Sequence, residues 1–106
     1  MNKPDVPAKA LTAVLREAQE LLSLEGNCFI WSRWKEASEA VAEVQQHISR
    51  LASGDYSQLC QLDLLFGATG AIQEVSVSSG WGDKFVVLAE RFDKELATLK
   101  AKEPSK

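Results

Sequence analysis

The chain has 106 residues, of which 45% are hydrophobic and 25% charged, and its formal net charge is −3. This composition is that of an average soluble globular domain; it excludes intrinsic disorder, and no apolar run reaches the about 18 residues that a membrane span needs. Nine acidic but only three basic residues lie between positions 17 and 74, which argues against nucleic acid as a partner because a phosphate backbone attracts a basic surface.

The length and the ends of the chain predict one cytoplasmic domain. Residues 1–106 are too few for two hydrophobic cores, so we expect a single helical domain. The N-terminal residues lack the apolar segment of a signal peptide, which favours a cytoplasmic location. Residues 1–7 and 102–106 contain proline and polar residues and are expected to be flexible.

In the first half of the chain, apolar residues recur every three or four positions and predict two long helices. The first runs from Ala8 to Glu25, with Gly26 as its left-handed C-terminal residue. The second begins with Asn27 as its N-cap and ends before Gly54, so a one-residue link makes the pair antiparallel and the second helix several turns longer. The core-facing stripe of the second helix is Ile30, Trp34, Ala37, Val41, Val44, Ile48 and Leu51.

The second half predicts a short helix, an irregular connection and a C-terminal helix. The short helix opens at Asp55 and ends at Gly67. Residues 67–82 form a Gly/Ser-rich connection that includes a short extended piece. The last helix carries the stripe Trp81, Phe85, Leu88, Phe92, Leu96 and Leu99, and this unbroken stripe argues against a β-hairpin there. The predicted fold is all-α: an antiparallel helical hairpin, a short helix and a C-terminal helix in a small bundle.

Catalytic and metal-binding motifs are not recognisable in the sequence. His47 follows Glu43 by one helical turn, and we expect a boundary histidine there and not a general base. Cys28 and Cys60 are expected to be buried, and together with one histidine they cannot supply the four ligands of a structural zinc site. The glycine-containing segments do not match phosphate-binding loops. The sequence therefore predicts neither an enzyme nor a bound metal or cofactor.

Carboxylates and an aromatic residue in the predicted second helix are candidate binding residues. Glu36, Glu39 and Glu43 follow one another at steps of three and four and form an acidic ridge, which suits a basic protein surface. The alternative is an ordinary solvated helix face. Trp31 points away from the core stripe and is a candidate interface anchor. The alternative for Trp31 is that another part of the chain covers it.

A second group of candidate binding residues lies around the irregular connection. Trp81 stands between Gly80 and Gly82, which allow a close approach of ligand or backbone. Gln73 and Glu74 offer directed hydrogen bonds beside it. The alternative is that Trp81 starts the core stripe of the last helix and closes the end of the bundle.

The segment "LLFGATGAIQEVSVSSGWGDKFVVLAERFD", together with the preceding tryptophan-rich stretch, resembles small uncharacterised bacterial proteins. These proteins carry a Thr-Gly turn, a Gln or Asn followed by an acidic residue, and a Gly-Trp-Gly helix start. They are similar to mobile-element cargo, including proteins of immunity type. The resemblance implies a binding protein and brings no catalytic residues.

Two functions are therefore expected as alternatives. The first is a small helical protein-interaction module, of immunity or inhibitor type, that binds a basic partner through the acidic ridge and the aromatic edge. The second is a small-ligand or regulatory domain with a pocket under the Gly-rich connection near Trp81. A twofold dimer that buries the protruding end of the second helix is compatible with either function.

Overall fold

The computed structural model describes residues 6–30, 32, 34–67 and 70–102. They form five helices: α1 (Val6–Leu22), α2 (Ala37–Ala52), α3 (Leu59–Leu65), α4 (Ala71–Ser79) and α5 (Gly82–Lys102). These described residues contain no strand, which confirms the predicted all-α bundle. Of the ends predicted to be flexible, residues 6, 7 and 102 belong to helices, and residues 1–5 and 103–106 lie outside the described part.

The first helix, α1, matches the predicted stripe and buries it against the other helices. The fully buried side chains of α1 are Ala8, Leu11, Val14, Leu15, Ala18 and Leu22. The helix ends at Leu22, three residues before the predicted Glu25. The chain then turns through Gly26, whose φ of +87° is left-handed as expected for a glycine after a helix.

The second helix begins at Ala37, nine residues later than predicted. The described residues between positions 27 and 36 are irregular instead, because polar side chains there bond to the backbone and replace helical hydrogen bonds. The Ser32 hydroxyl donates to the carbonyl oxygen of Phe29 at 3.0 Å and accepts from the N–H of Trp34 at 3.2 Å. We call this segment the 27–36 loop.

The late start of α2 corrects part of the predicted core. Asn27 does not cap α2, and Ile30, expected in the core stripe, is 78% exposed. Trp34 is buried as predicted, although it lies in the loop and not in a helix. The remainder of the stripe is confirmed: Val44, Ile48 and Leu51 are buried, and Ala37 and Val41 are half-buried.

The helices α1 and α2 form the predicted antiparallel pair. Near the end of α1, the Gln19 amide donates to the carbonyl oxygen of Val41 at 3.2 Å, in the first half of α2, and to Oε1 of Gln45 at 3.1 Å, near the middle of α2. The helices have 17 and 16 residues, so α2 does not extend beyond α1 by several turns. The protruding end on which the predicted dimer depended is therefore not a feature of the fold.

The short helix α3 is confirmed, although it begins at Leu59 and not directly after Asp55, and it leads into the aromatic centre of the core. It buries Leu62 and Leu65, and the next residue, Phe66, is also buried. The Phe66 ring stacks on Phe92 with the ring centroids 4.2 Å apart, a close aromatic contact within the core. This contact joins α3 to the middle of α5.

Residues 67–82 contain α4 and are not the irregular connection that was predicted. Ile72, Val75 and Ser76 are fully buried, whereas Val77 is exposed. The buried positions therefore follow helical spacing and not the alternation of an extended strand. The helix ends at Gly80, whose φ of +89° is the left-handed conformation of a C-cap.

The last helix, α5, and the residue immediately before it carry the predicted stripe without interruption. All the side chains of this stripe are buried: Trp81, Phe85, Leu88, Phe92, Leu96 and Leu99. Because α4 and α5 occupy both strands of the alternative β-hairpin, that hairpin is excluded. The Arg91 guanidinium donates to both carboxylate oxygens of Glu17, at 2.8 and 2.7 Å, and so joins α5 to α1.

Candidate functional site

The beginning of the 27–36 loop is attached to the residue that precedes α5. The indole N–H of Trp81 donates to Oδ1 of Asn27 at 2.8 Å. The amide of Asn27 in turn donates through Nδ2 to the carbonyl oxygen of Leu21 at 2.8 Å, in the last turn of α1, where carbonyl oxygens lack helical partners. Asn27 therefore connects α1, the loop and the start of α5 with one side chain.

The last turn of α4 also holds the beginning of the loop. The Ser79 hydroxyl accepts the backbone N–H of Cys28 at 2.8 Å. The fully buried Ser76 donates its hydroxyl to the carbonyl oxygen of Gln73 at 2.8 Å and accepts the backbone N–H of Trp81 at its own carbonyl oxygen at 2.9 Å. These serines belong to the segment predicted to be an irregular connection. In the structure, Ser76 and Ser79 make hydrogen bonds that stabilise the turn after α4 and the beginning of the loop.

Carboxylates of the predicted acidic ridge hold the other end of the loop. The indole N–H of Trp34 donates to Oε1 of Glu43 at 3.1 Å. The backbone N–H of Lys35 donates to Oε1 of Glu39 at 2.8 Å, which satisfies a donor at the beginning of α2. Glu39 and Glu43 thus position the loop, and Glu36 is exposed immediately before α2.

Between these two anchored ends, the loop exposes an apolar side chain. Ile30 is 78% exposed, the most exposed of the large apolar side chains described. The predicted anchor Trp31 lies outside the described residues, as does Arg33. Sequence reasoning missed Ile30 because it fitted the periodic stripe. The flanking Asn27 and Ser32, whose side chains favour turns, could have indicated that Ile30 lies in a loop.

The acidic residues of the first half of the chain collect at the same end of the molecule as the loop. This end, which we call the loop end, consists of the last turn of α1, residues 23–26, the 27–36 loop and the first turns of α2 and α5. Its exposed acidic side chains are Glu20, Glu25, Glu36, Glu39 and Asp83, against the exposed Lys35 and Lys84 among its described residues. The described residues of the loop end therefore carry a net negative charge.

Trp81, the centre of the predicted pocket, is only 6% exposed and belongs to the core, which was the alternative interpretation. Gln73 and Glu74 are half-buried in the first turn of α4, and Trp81 follows the left-handed Gly80 at the end of the same helix.

An open groove runs between α1 and α5. It has a volume of about 590 Å³, with an apolar lining from Leu21, Leu24, Val87 and Leu88. Charged side chains surround this lining: Glu17, Glu20, Asp83, Lys84 and Arg91. The groove was not foreseen from the sequence, because its two walls are about 60 residues apart in the chain.

The cysteines and the acidic residues do not assemble into a metal site within the described residues. No group of three or more His, Cys, Asp or Glu side chains is arranged there to hold an ion. Cys28 is half-buried and Cys60 is exposed, so the prediction that both are buried is wrong for Cys60. His47 is buried in α2.

A membrane span is not present among the described helices, since none combines sufficient length with sufficient apolar character. Comparison of the chain with protein-family models, with curated proteins and with solved structures finds no match.

Proposed function

We propose that this protein is a small helical interaction module that binds a partner protein through its loop end. The observation that carries the proposal is the exposure of Ile30 on a loop whose two ends are fixed by the hydrogen bonds of two buried indoles. Loops positioned by a rigid scaffold are preferred binding elements. The partner supplies an apolar pocket for Ile30 and a basic surface for the surrounding carboxylates.

The fixed loop favours binding because little conformational freedom is lost when the partner arrives. Bonds from Asn27 and Ser79 hold one end, and bonds to Glu39 and Glu43 hold the other. Ordering a flexible segment opposes association, so a loop whose two ends are already held retains more of the interaction energy. Full burial of the Ile30 side chain then contributes about 1.5–3 kcal/mol.

The charge of the loop end identifies the chemistry of the partner. Clustered carboxylates attract a basic protein surface, and this attraction raises the association rate at low ionic strength. A small acidic helical domain that covers a basic functional surface is suited to an immunity or inhibitor role. The resemblance to bacterial mobile-element cargo favours the same role and a bacterial, cytoplasmic setting.

The test begins with identification of the partner by chemical cross-linking in the native host, followed by titration of the purified proteins. We expect Ile30→Asp to weaken binding by at least about tenfold, since it removes the apolar contact and adds a charge. Leu64→Asp is the matched control, because Leu64 is also a large apolar side chain in solvent, 66% exposed, but lies on α3. Equal losses for both variants, or no loss for Ile30→Asp, would contradict the proposal.

The groove between α1 and α5 supports a second candidate function, the binding of a small amphipathic ligand. Its volume of about 590 Å³ lies within the range of ligand pockets, and its lining is apolar with charged edges. Ile30 is not part of this lining. Binding that survives Ile30→Asp but is lost when Val87 is enlarged to tryptophan would therefore assign the function to the groove.

A further inference from the structure

Exposed apolar side chains collect at the loop end and directly beside it. Six large apolar side chains are exposed among the described residues, and five of them come from the chain after α1, the 27–36 loop, the last turn of α4 or the beginning of α5: Leu24, Ile30, Val77, Val86 and Val87. Hydrogen bonds of Asn27 and Ser79 hold these segments together. The apolar surface at this end is therefore larger than Ile30 alone, and such a surface with polar edges is typical of protein interfaces.

The groove between α1 and α5 is part of this surface and runs along two antiparallel helices. At one end of the groove, Glu17 is bonded to Arg91. At the other end, Leu24 lines the groove together with Asp83, at the beginning of α5. Eight residue steps from Asp83 to Arg91 make the groove about 12 Å long, which is two helical turns. Because Leu24 and Val87 are 49% and 57% exposed on opposite walls, a third helix can lie between them with an apolar face.

The charges at the edges of the groove are predominantly acidic. Glu20 and Asp83 are exposed on opposite walls, and neither forms a hydrogen bond or an ion pair with another described residue. Arg91, in contrast, is neutralised by Glu17. Two carboxylates therefore remain against the one ammonium group of Lys84 among the lining residues. A segment that carries basic residues beside an apolar face complements these edges.

We propose that the groove binds an amphipathic helix of the partner protein, with lysine or arginine on both sides of its apolar face. This inference rests on the proposed function, in which the loop end binds a protein, and adds the kind of segment that lies beside the Ile30 contact. Apolar residues of the helix enter between Leu24 and Val87, and its basic residues lie next to Glu20 and Asp83. A small ligand is the less favoured occupant, because the groove is open to solvent and ligand sites bury most of the ligand surface.

Three synthetic peptides of about 14 residues, nearly four helical turns, test the chemistry of the occupant. The first carries leucine at three- and four-residue spacing with lysine beside it, and the second replaces every lysine by glutamate. In calorimetric titrations of the purified protein at low ionic strength, the lysine peptide should bind at least about tenfold more tightly, and added salt should reduce this difference. The third peptide alternates the same leucines and lysines. It cannot present one apolar helix face, so it should also bind at least about tenfold more weakly.

Variants of the protein locate the binding site. Val87→Lys should weaken binding of the lysine peptide by at least about tenfold, because it removes an apolar wall and adds a repelling charge. Leu64→Lys is the matched control, since it makes the same change at a 66% exposed side chain on α3, outside the groove, and should alter the affinity by less than about twofold. Glu20→Gln combined with Asp83→Asn should reduce the preference for the lysine peptide over the glutamate peptide. Circular dichroism of each variant verifies that its helices are intact.

The possible outcomes separate this inference from the proposed function. Equal binding of all three peptides, or equal losses for Val87→Lys and Leu64→Lys, overturns the inference. Binding of octylamine in the groove without binding of the lysine peptide assigns the groove to a small ligand and also overturns it. Ile30 does not line the groove, so Ile30→Asp should change peptide binding by less than about twofold. If Ile30→Asp weakens partner binding but no peptide binds, the inference is wrong and the proposed function stands; the reverse result contradicts the proposed function.

Discussion

Individual polar side chains determine the shape of the loop end. The Oδ1 atom of Asn27 accepts the indole N–H of Trp81, and its Nδ2 atom donates to the carbonyl oxygen of Leu21. Every buried side-chain nitrogen and oxygen among the described residues has a hydrogen-bond partner. A buried polar group without a partner costs free energy, so removing one member of such a set leaves a penalty at the others.

The bond between Asn27 and Trp81 should appear as an energetic coupling. We expect Asn27→Ala to lower the free energy of unfolding by about 1–3 kcal/mol, because it leaves the buried indole N–H of Trp81 without its acceptor and removes one of the two donors to the Leu21 carbonyl oxygen, the other being the N–H of Leu24. In a double-mutant cycle with Trp81→Phe, urea unfolding should give a coupling of about 1 kcal/mol. Strictly additive losses would show that the bond makes no contribution in solution.

The chain just before α4 passes very close to the end of α3. A Cβ atom placed on Gly70 would lie 2.5 Å from the carbonyl oxygens of both Leu64 and Leu65. These oxygens belong to the backbone at the end of α3 and cannot move aside as a flexible side chain does. The absence of a side chain at Gly70 therefore allows the chain just before α4 to lie against the end of α3.

Alanine substitutions at two glycines distinguish the effect of close packing on stability from the effect of helix propensity. Gly70→Ala should lower the free energy of unfolding by at least about 2 kcal/mol, because the added methyl overlaps two carbonyl oxygens. Gly82→Ala is the matched control in the first turn of α5, where the new Cβ would meet Val77 at 3.8 Å, an ordinary contact. It should be neutral or stabilising by up to about 1 kcal/mol, since alanine favours helix. Similar losses for both variants in urea unfolding would contradict this explanation.

The whole molecule is closed by an ion pair between its first and last helices. Glu17 and Arg91 are 74 positions apart and form two hydrogen bonds. The hydrogen bond from Arg91 lowers the pKa of the Glu17 carboxyl below its ordinary value of 4.5. Both side chains are about half exposed, so solvent screening keeps the contribution to stability below about 1 kcal/mol.

This ion pair predicts a specific response to acid. Because the folded-state pKa of Glu17 is lowered, its stabilisation is present above pH 4.5 and is lost as the pH falls through the folded-state value. Glu17→Gln should therefore be less stable than wild type at neutral pH, by less than about 1 kcal/mol, and the difference should vanish in stronger acid. Glu20→Gln, on the same helix but outside the pair, should show no such convergence in urea unfolding at a series of pH values.

Sequence patterns predicted the parts of the molecule that long apolar stripes control. The helices α1, α3 and α5, and the later part of the predicted second helix, which is α2, lie where regular spacing placed them, because burial of one face decides their conformation. The 27–36 loop differed from prediction because hydrogen bonds from the side chains of Asn27 and Ser32 determine its conformation. The segment with α4 differed because of the contact between Gly70 and the end of α3. Such contacts join residues far apart in the sequence, as in the pair of Trp81 with Asn27. Ile30 was therefore assigned to the core when it is on the surface.

The arrangement of anchors around the 27–36 loop has an evolutionary consequence. Hydrogen bonds of Asn27 and Trp34 hold the loop, whereas Ile30 is its exposed apolar side chain. Different residues therefore hold the loop and form its apolar surface. A substitution at Ile30 changes the exposed side chain but leaves the hydrogen bonds of Asn27 and Trp34 in place. Under the proposed function, single substitutions at position 30 would therefore change which partner is bound while the hydrogen bonds of Asn27 and Trp34 stay intact.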